Sequence, residues 1–379
     1  MRKHLASLDG LRGVAALAVA VKHFQNFSRI NLHAQQASAA VDLFFVLSGY
    51  VIALAYEERL AEGLSWRSYM GLRLARLYPA IFGALVISAC IWLSAGGRPY
   101  PQLLLQFALI PVVIGPLIFA GDLFPLNDPQ WSLFWELIVN GAHAAIFRWL
   151  TPVRIGLIMA ASFVGLVLAC RHFGWLDVGW TRRSFWCAIP RTAWGFFAGV
   201  LIFRLSQRGW RLPRIPYWIL VLALVACMIR WAPAAKLYWA RDMLLVTVIL
   251  PAIVAFAVHS PVPDRWVKPA TWLGAISYPL YTLHVPLLRG FRWFLMESPA
   301  LPIWERRVLW FVALFAVVGF AALYERFYDA PIRAALARRR AARRTPKPAL
   351  PEYSPQPRAE VADLRGPSAL VGVSRAQSN

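Results

Sequence analysis

Cysteine is scarce in this chain. Cys90, Cys170, Cys187 and Cys227 are the four in 379 residues, and each lies in an apolar run rather than a loop. That pattern excludes a disulfide framework and a zinc site with the usual ligand spacing, and it marks all four as packing residues. Acidic residues are also few, 18 against 40 Lys and Arg, for a net charge of +22. Such an excess fits nucleic-acid binding, but here the basic residues sit mainly in short loops and the tail. That is the signature of cytoplasmic loops beside an anionic lipid surface, so no nucleic-acid partner is expected. No Gly-rich phosphate loop and no metal-binding His pair occur, which argues against ATP-driven or metal-assisted chemistry. There is no internal repeat, and no interval between apolar runs is long enough to fold as a soluble domain.

What the chain does have is apolar and aromatic: 59% hydrophobic residues, with 18 Trp and 23 Phe. This predicts an all-α polytopic membrane bundle. Candidate spans fall near residues 8–27, 39–57, 72–95, 129–150, 153–171, 185–205, 215–232, 239–259, 270–291 and 306–328. An eleventh stretch, 102–119, is broken by Pro111, Gly115 and Pro116 and is expected to be re-entrant or interfacial. Arg59, Arg67, Arg73 and Arg76, then Arg204, Arg208, Arg211 and Arg214, then the basic run from Arg333 to Arg344 assign three inside segments. About ten crossings with both termini cytoplasmic satisfy them; Arg171, Arg182 and Arg183 are left facing outward. The start, with Arg2 and Lys3 before an apolar stretch, is read as a retained helix rather than a cleaved signal peptide. Residues 4–335 form the expected membrane domain, and 345–379 read as a disordered cytoplasmic tail.

The first run carries ionisable residues where a plain anchor would have none. Arg12 and His23 are eleven residues apart, roughly 16 Å along a helix, and such groups in a membrane segment cost ~2.5–3.5 kcal/mol or more each. On the expected topology, Arg12, Arg73 and Arg76 form an inner layer. His23, Asp42, Glu136 (roughly 10 Å in from its helix start) and His284 form an outer one. Arginine forks bind phosphate, so the inner layer suits a phosphorylated donor. A histidine held by a carboxylate suits removal of a hydroxyl proton. Plainer readings stand beside these: positive-inside anchors for the arginines, a helix cap for Asp42, a packed ring for a buried histidine.

Several segments together resemble the bacterial membrane acyltransferase-3 family. They are Leu8-Asp9-Gly10-Leu11-Arg12-Gly13 with its spacing to His23, and Val41-Asp42-Leu43-Phe44-Phe45-Val46-Leu47-Ser48-Gly49-Tyr50. Arg73-Leu74-Ala75-Arg76-Leu77-Tyr78-Pro79, Trp131-Ser132-Leu133-Phe134-Trp135-Glu136, and Pro190-Arg191 with Gly199 follow. Ser277-Tyr278-Pro279-Leu280-Tyr281-Thr282-Leu283-His284-Val285-Pro286 is the last. The resemblance implies a ten-helix inner-membrane O-acyltransferase. It would move an acyl group, most often acetyl, from cytoplasmic acyl-CoA to a hydroxyl of a surface polysaccharide, other glycan or lipid-linked saccharide. It carries over Arg12, His23, Arg73 and Arg76 as the family's functional positions and matches Asp42 and Glu136 to its membrane acidic positions. Taken with the two layers, Arg12, Arg73 and Arg76 are expected to bind the donor phosphates, and His23, oriented by Asp42 or Glu136, either to take the hydroxyl proton or to be acylated itself. Arg191, Ser48, Tyr281 and His284 are expected to contact the acceptor or the oxyanion. Three places depart from the family pattern: Leu137 where a second Glu is usual, Asp329-Ala330-Pro331 where Glu-x-Pro is common, and Lys22 at an apolar position. No appended hydrolase-like domain is expected, so a second step would need another protein. The alternative is a proton-coupled transporter of a small anionic or sugar-like solute, since buried His, Asp and Glu also build proton relays; a structural scaffold would leave both layers unexplained.

Overall fold

The computed structural model describes residues 2–112, 121–229, 238–297 and 301–342. Among them the chain is helical, and the one β-type contact is a bridge between Asp122 and Thr181. The helices are α1 (Arg2–Ser28), α2 (Ala40–Ala61), α3 (Trp66–Ser94), α4 (Gln130–Ile146), α5 (Pro152–Phe173) and α6 (Ala188–Gln207). They continue with α7 (Tyr217–Met228), α8 (Tyr238–Leu244), α9 (Leu250–His259), α10 (Asp264–Glu297), α11 (Ile303–Tyr324) and α12 (Ala330–Ala342). Two pairs run on through a π turn, α8 into α9 across Leu245–Ile249 and α11 into α12 across Glu325–Asp329. Both π turns precede a proline, Pro251 or Pro331, whose nitrogen has no hydrogen for the carbonyl four residues back, and a widened turn absorbs the gap.

Among the described residues twelve helices less two such joins give ten rods, and each of the ten expected spans overlaps one. Six stretches among the described residues are long and apolar enough to cross a membrane, within 34–61, 66–94, 152–173, 185–207, 238–259 and 303–342. The rods α1 and α10 are long enough, at 27 and 34 residues, but are less apolar, α1 through Asp9, Arg12, Lys22 and His23 and α10 through its Ser, Tyr, Trp, Pro and His residues; those polar residues build the site. Of the broken stretch 102–119, the described part begins with a 3₁₀ helix, Pro101–Ala108, while residues 113–120 lie outside the described residues. The expected tail, 345–379, lies outside them as well. The contacts divide the chain into a compact unit, Met1–Ala337, and a second, Arg338–Asn379, of which only the end of α12 is described.

Two helix pairings frame the interior: α1 lies along α10, and α2 lies along α6. The second is close enough to need glycine. A methyl carbon on Gly199 would overlap the Val46 carbonyl oxygen, and one on Gly49 the Phe196 carbonyl oxygen. Small residues of this kind let membrane helices approach and gain dispersion contacts where lipid gives no hydrophobic drive. The segment before α4 is fastened to α10 by polar contacts. Pro286 leaves the Thr282 carbonyl without its helical donor, and Asn127 Nδ2 donates to it at 2.9 Å. Arg289 donates to the carbonyls of Pro125 at 2.7 Å and Leu126 at 3.2 Å, and to Asp128 at 3.1 Å.

Candidate active site: two cavities with a common wall

The arginines of α1 and α3 meet in one cavity of about 160 Å3, lined by Arg12, Arg73, Arg76, Ser48, Glu136, Ser277, Tyr278 and Tyr281 among others. Arg12 is held on α10, donating to Ser277 Oγ at 2.9 Å and the Gly274 carbonyl at 2.8 Å, and it pairs with Asp9 at 2.9 Å. Arg73 pairs with Glu136 at 3.2 Å, and Ser48 donates to the same carboxylate oxygen at 2.8 Å. Arg76 differs. Its Nη1 is buried with no hydrogen-bond partner among the described residues. A guanidinium N–H left unpaired in a cavity wall is a donor awaiting an anion. Arg333 stands close by, bound to both Glu325 and Asp329, carboxylates four residues apart and so on one helix face. Asp329, at a departure from the family pattern, thus has a defined partner.

Glu136 does not share a layer with His23, as its distance from the helix start predicts; it lies with the arginines. The reason is length. Helix α4 has only 17 residues, about 25 Å, and Arg73 sits a full two turns inside α3, so the two side chains meet in mid-bundle. Leu137, where a second acid is usual, is buried in the apolar core.

His23 lines a second cavity of about 440 Å3, with Lys22, Asn26, Gln35, Asp128, Trp131, Asp177, Trp180, Tyr281 and Arg292. Its ring neighbour is His284, with ring centroids 4.9 Å apart. His284 Nδ1 lies 3.0 Å from the Leu280 carbonyl, which only accepts, so in the neutral ring Nδ1 carries the hydrogen and Nε2 the lone pair. That Nε2 is buried and without a partner among the described residues. The expected pairing of His23 with a carboxylate is therefore not what the chain makes. Glu136 belongs to Arg73, and Asp42 belongs to Arg191.

The Asp42–Arg191 pair is bidentate, with Nε and Nη2 each 2.7 Å from a carboxylate oxygen and both side chains 1% exposed. The remaining donors of Arg191 go to the carbonyls of Val178 at 2.8 Å and Ser38 at 3.3 Å, while its guanidinium lies 5.5 Å from the Trp131 ring. Neither Asp42 nor Arg191 lines either cavity. The expected acceptor contact for Arg191 is thus replaced by a clamp joining α2, α6 and the loop after α5.

Lys22, the third departure, has a partner that no local pattern announces: Asp177, in that same loop, at 2.8 Å. Burial by itself would raise the Asp177 carboxyl, but Lys22 and Arg191, with hydrogen bonds from Lys22 and Ser38, bring it below its ordinary value.

The two cavities share Val41 and Tyr281 in their linings. The Tyr281 hydroxyl lies 2.6 Å from Ser132 Oγ, and its ring packs edge-on against Phe44 at 5.3 Å. This wall separates the cationic cavity from the histidine cavity. Among the described residues no group of His, Cys, Asp and Glu is arranged to hold a metal ion.

A helical membrane bundle that brings a basic cavity and a histidine cavity to one dividing wall has the layout of a membrane-embedded transferase. The chain belongs to the acyltransferase-3 family, whose acyltransferase-domain model matches residues 5–326. It is 38% identical over 183 residues to protein 2 in the picA locus of Rhizobium radiobacter, an alignment covering 44% of this chain and 94% of that protein. It is 25% identical over 372 residues to the peptidoglycan O-acetyltransferase OatA of Listeria monocytogenes, covering 88% of this chain and 56% of OatA. It is 27% identical over 143 residues to the exopolysaccharide production protein ExoZ of Rhizobium meliloti, covering 36% and 44%. The chain thus spans just over half the length of OatA. No solved structure matches it.

Proposed function

We propose that the protein transfers an acyl group, in the first instance acetyl, from cytoplasmic acyl-CoA to a hydroxyl of a surface glycan or lipid-linked saccharide across the bacterial inner membrane. The observation that carries this reading is the shared wall: a cavity with an unpaired arginine on one side of Tyr281, a cavity with a histidine pair on the other. Both termini and the arginine end face the cytosol, in keeping with the arginine-rich connections at 59–76 and 204–214. Named relatives that act on peptidoglycan or in exopolysaccharide production favour a glycan as acceptor. Membership of an acyltransferase family favours an enzyme over a transporter.

In this mechanism Arg12, Arg73 and Arg76 hold the phosphates of the donor, with Arg76 Nη1 gaining the partner it lacks. The acyl thioester reaches the wall at Tyr281. The acceptor hydroxyl enters from the His23 cavity, whose Trp131 and Trp180 give a sugar ring apolar faces to lie on. Neutral His23 takes the hydroxyl proton as the oxygen attacks the thioester carbonyl. The tetrahedral intermediate collapses with breakage of the carbon–sulfur bond, and the imidazolium returns its proton to the departing thiolate. The products are an ester and free CoA. The Tyr281 hydroxyl, on the wall itself, is the donor best placed for the oxyanion. The His284 ring packs against His23 where a carboxylate is expected, with its Nε2 lone pair, unpartnered among the described residues, free to accept a proton.

The test is acyl transfer by the purified protein from isotope-labelled acetyl-CoA, together with mass spectrometry of surface glycans from a deletion strain and its parent. A stably inserted His23→Ala protein that transfers at the original rate would exclude the mechanism. Identical glycan acetylation in the two strains would exclude the acceptor class.

A further inference from the structure

Most arginines inside the bundle are spoken for. Arg12, Arg73, Arg191, Arg204, Arg241, Arg289 and Arg333 each pair with a carboxylate. Four solvent-exposed arginines at one end of the bundle are not. Arg29, Arg292, Arg306 and Arg307 line a single cavity of about 730 Å3, where the end of α1 meets the end of α10 and the start of α11. None of these four guanidinium groups forms an ion pair or side-chain hydrogen bond with a described residue, and no carboxylate lines the cavity. Glu297 and Glu305, the acidic residues nearest in sequence, are absent from its wall. Four like charges around one open space make a positive potential that favours a counter-anion there.

Two further facts locate this charge. The cavity adjoins that of His23, since Phe27 and Arg292 line both. On the orientation proposed above it also lies at the outer end, where basic residues are disfavoured by the topology bias of membrane proteins. Positive-inside anchoring therefore does not account for it. Its walls are amphipathic: Phe27, Ile30, Leu295, Met296, Ile303 and Trp310 face the same space as the arginines. Apolar walls suit an alkyl or prenyl chain, and guanidinium forks suit phosphate oxygens bidentately.

We infer that Arg29, Arg292, Arg306 and Arg307 form a binding site for the phosphate or pyrophosphate headgroup of a membrane lipid, next to the cavity in which the acceptor hydroxyl meets His23. This deepens the proposed function, on which the word acceptor rests. Two sources share this chemistry. One is the carrier lipid of a lipid-linked saccharide, whose sugar would then reach into the His23 cavity; the other is a bilayer phospholipid bound beside the entrance.

The experiment compares the full-length protein with its Arg306→Gln/Arg307→Gln variant. Both positions are exposed, so the fold is expected to hold, and binding of acetyl-CoA at the other end checks that it does. Farnesyl pyrophosphate serves as the carrier-lipid probe, titrated in detergent with saturating CoA to occupy the donor arginines. Retention of phosphatidylglycerol from nanodiscs, read by native mass spectrometry, is the phospholipid probe. A loss of affinity of about tenfold or more in the variant for farnesyl pyrophosphate supports the site with the acceptor as its source. A comparable loss confined to phosphatidylglycerol supports it with the bilayer as its source. Equal binding of both probes to both proteins overturns it. Because binding is read without turnover, failure here leaves acetyl-CoA binding intact, whereas failure of the acyltransfer reading leaves probe binding intact.

Discussion

The rings of His23 and His284 lie with centroids 4.9 Å apart at 60°, and the second ring is anchored through Nδ1 to its own helix at Leu280. On the proposed mechanism His284 is the ring packed beside the base, with an Nε2 unpartnered among the described residues and turned to neither Leu280 nor a carboxylate. Replacing it with Gln is expected to lower kcat by ~10²-fold or more while the KM for acyl-CoA stays near the parent value, because the donor arginines are untouched. Steady-state kinetics on the reconstituted protein decide this. A rise in KM with kcat preserved would put His284 in donor binding instead.

Asp42 and Arg191 present the opposite case, a buried ion pair that faces neither cavity. Breaking such a pair from one side leaves an uncompensated charge and costs ~3–5 kcal/mol. Asp42→Ala is expected to lower the melting temperature in detergent strongly. The double change Asp42→Leu/Arg191→Met should recover much of the loss. If Asp42→Ala melts like the parent and only loses activity, Asp42 belongs to the chemistry.

Tyr281 closes one cavity from the other. Tyr281→Ala removes the dividing ring, so water should reach the thioester, and CoA thiol should appear in the absence of acceptor faster than with the parent. Thiol release followed with a chromogenic disulfide reports it. No acceptor-independent release would mean that the ring is not the barrier.

Lys22 and Asp177 fasten the loop after α5 to α1 beside His23. Because Asp177 titrates below its ordinary value of 3.8 in the folded protein, the contact contributes stability above that value and loses it as the pH falls through the lower one. Amide exchange in residues 174–187 is expected to stay slow at neutral pH and accelerate only under more acidic conditions. Lys22→Leu should give the fast behaviour already at pH 7.

The helical rods were readable because apolar runs of membrane length announce themselves, and Arg12 and His23 because charge in such a run is expensive. The partnerships were not readable. Asp42 and Arg191 are separated by 149 residues and Lys22 and Asp177 by 155, and nothing in local pattern encodes which distant groups will meet. Glu136 was misplaced by counting from its helix start as though every rod had full length, whereas α4 is short and Arg73 lies deep. The arginines around the start of α11 are not legible as a group because counting charge for topology treats every arginine alike, and only the cavity distinguishes those with partners from those without.

Tyr281 and His284 lie between Pro279 and Pro286 in α10, a stretch whose backbone ladder is interrupted at both ends, while the facing helix α2 is fixed to α6 by glycine contacts and the Asp42 clamp. One bank of the passage is thus stiff and the other jointed. On the proposed route for the thioester the bank able to yield is α10, and the tyrosine and histidine would travel with it as a single movable sill.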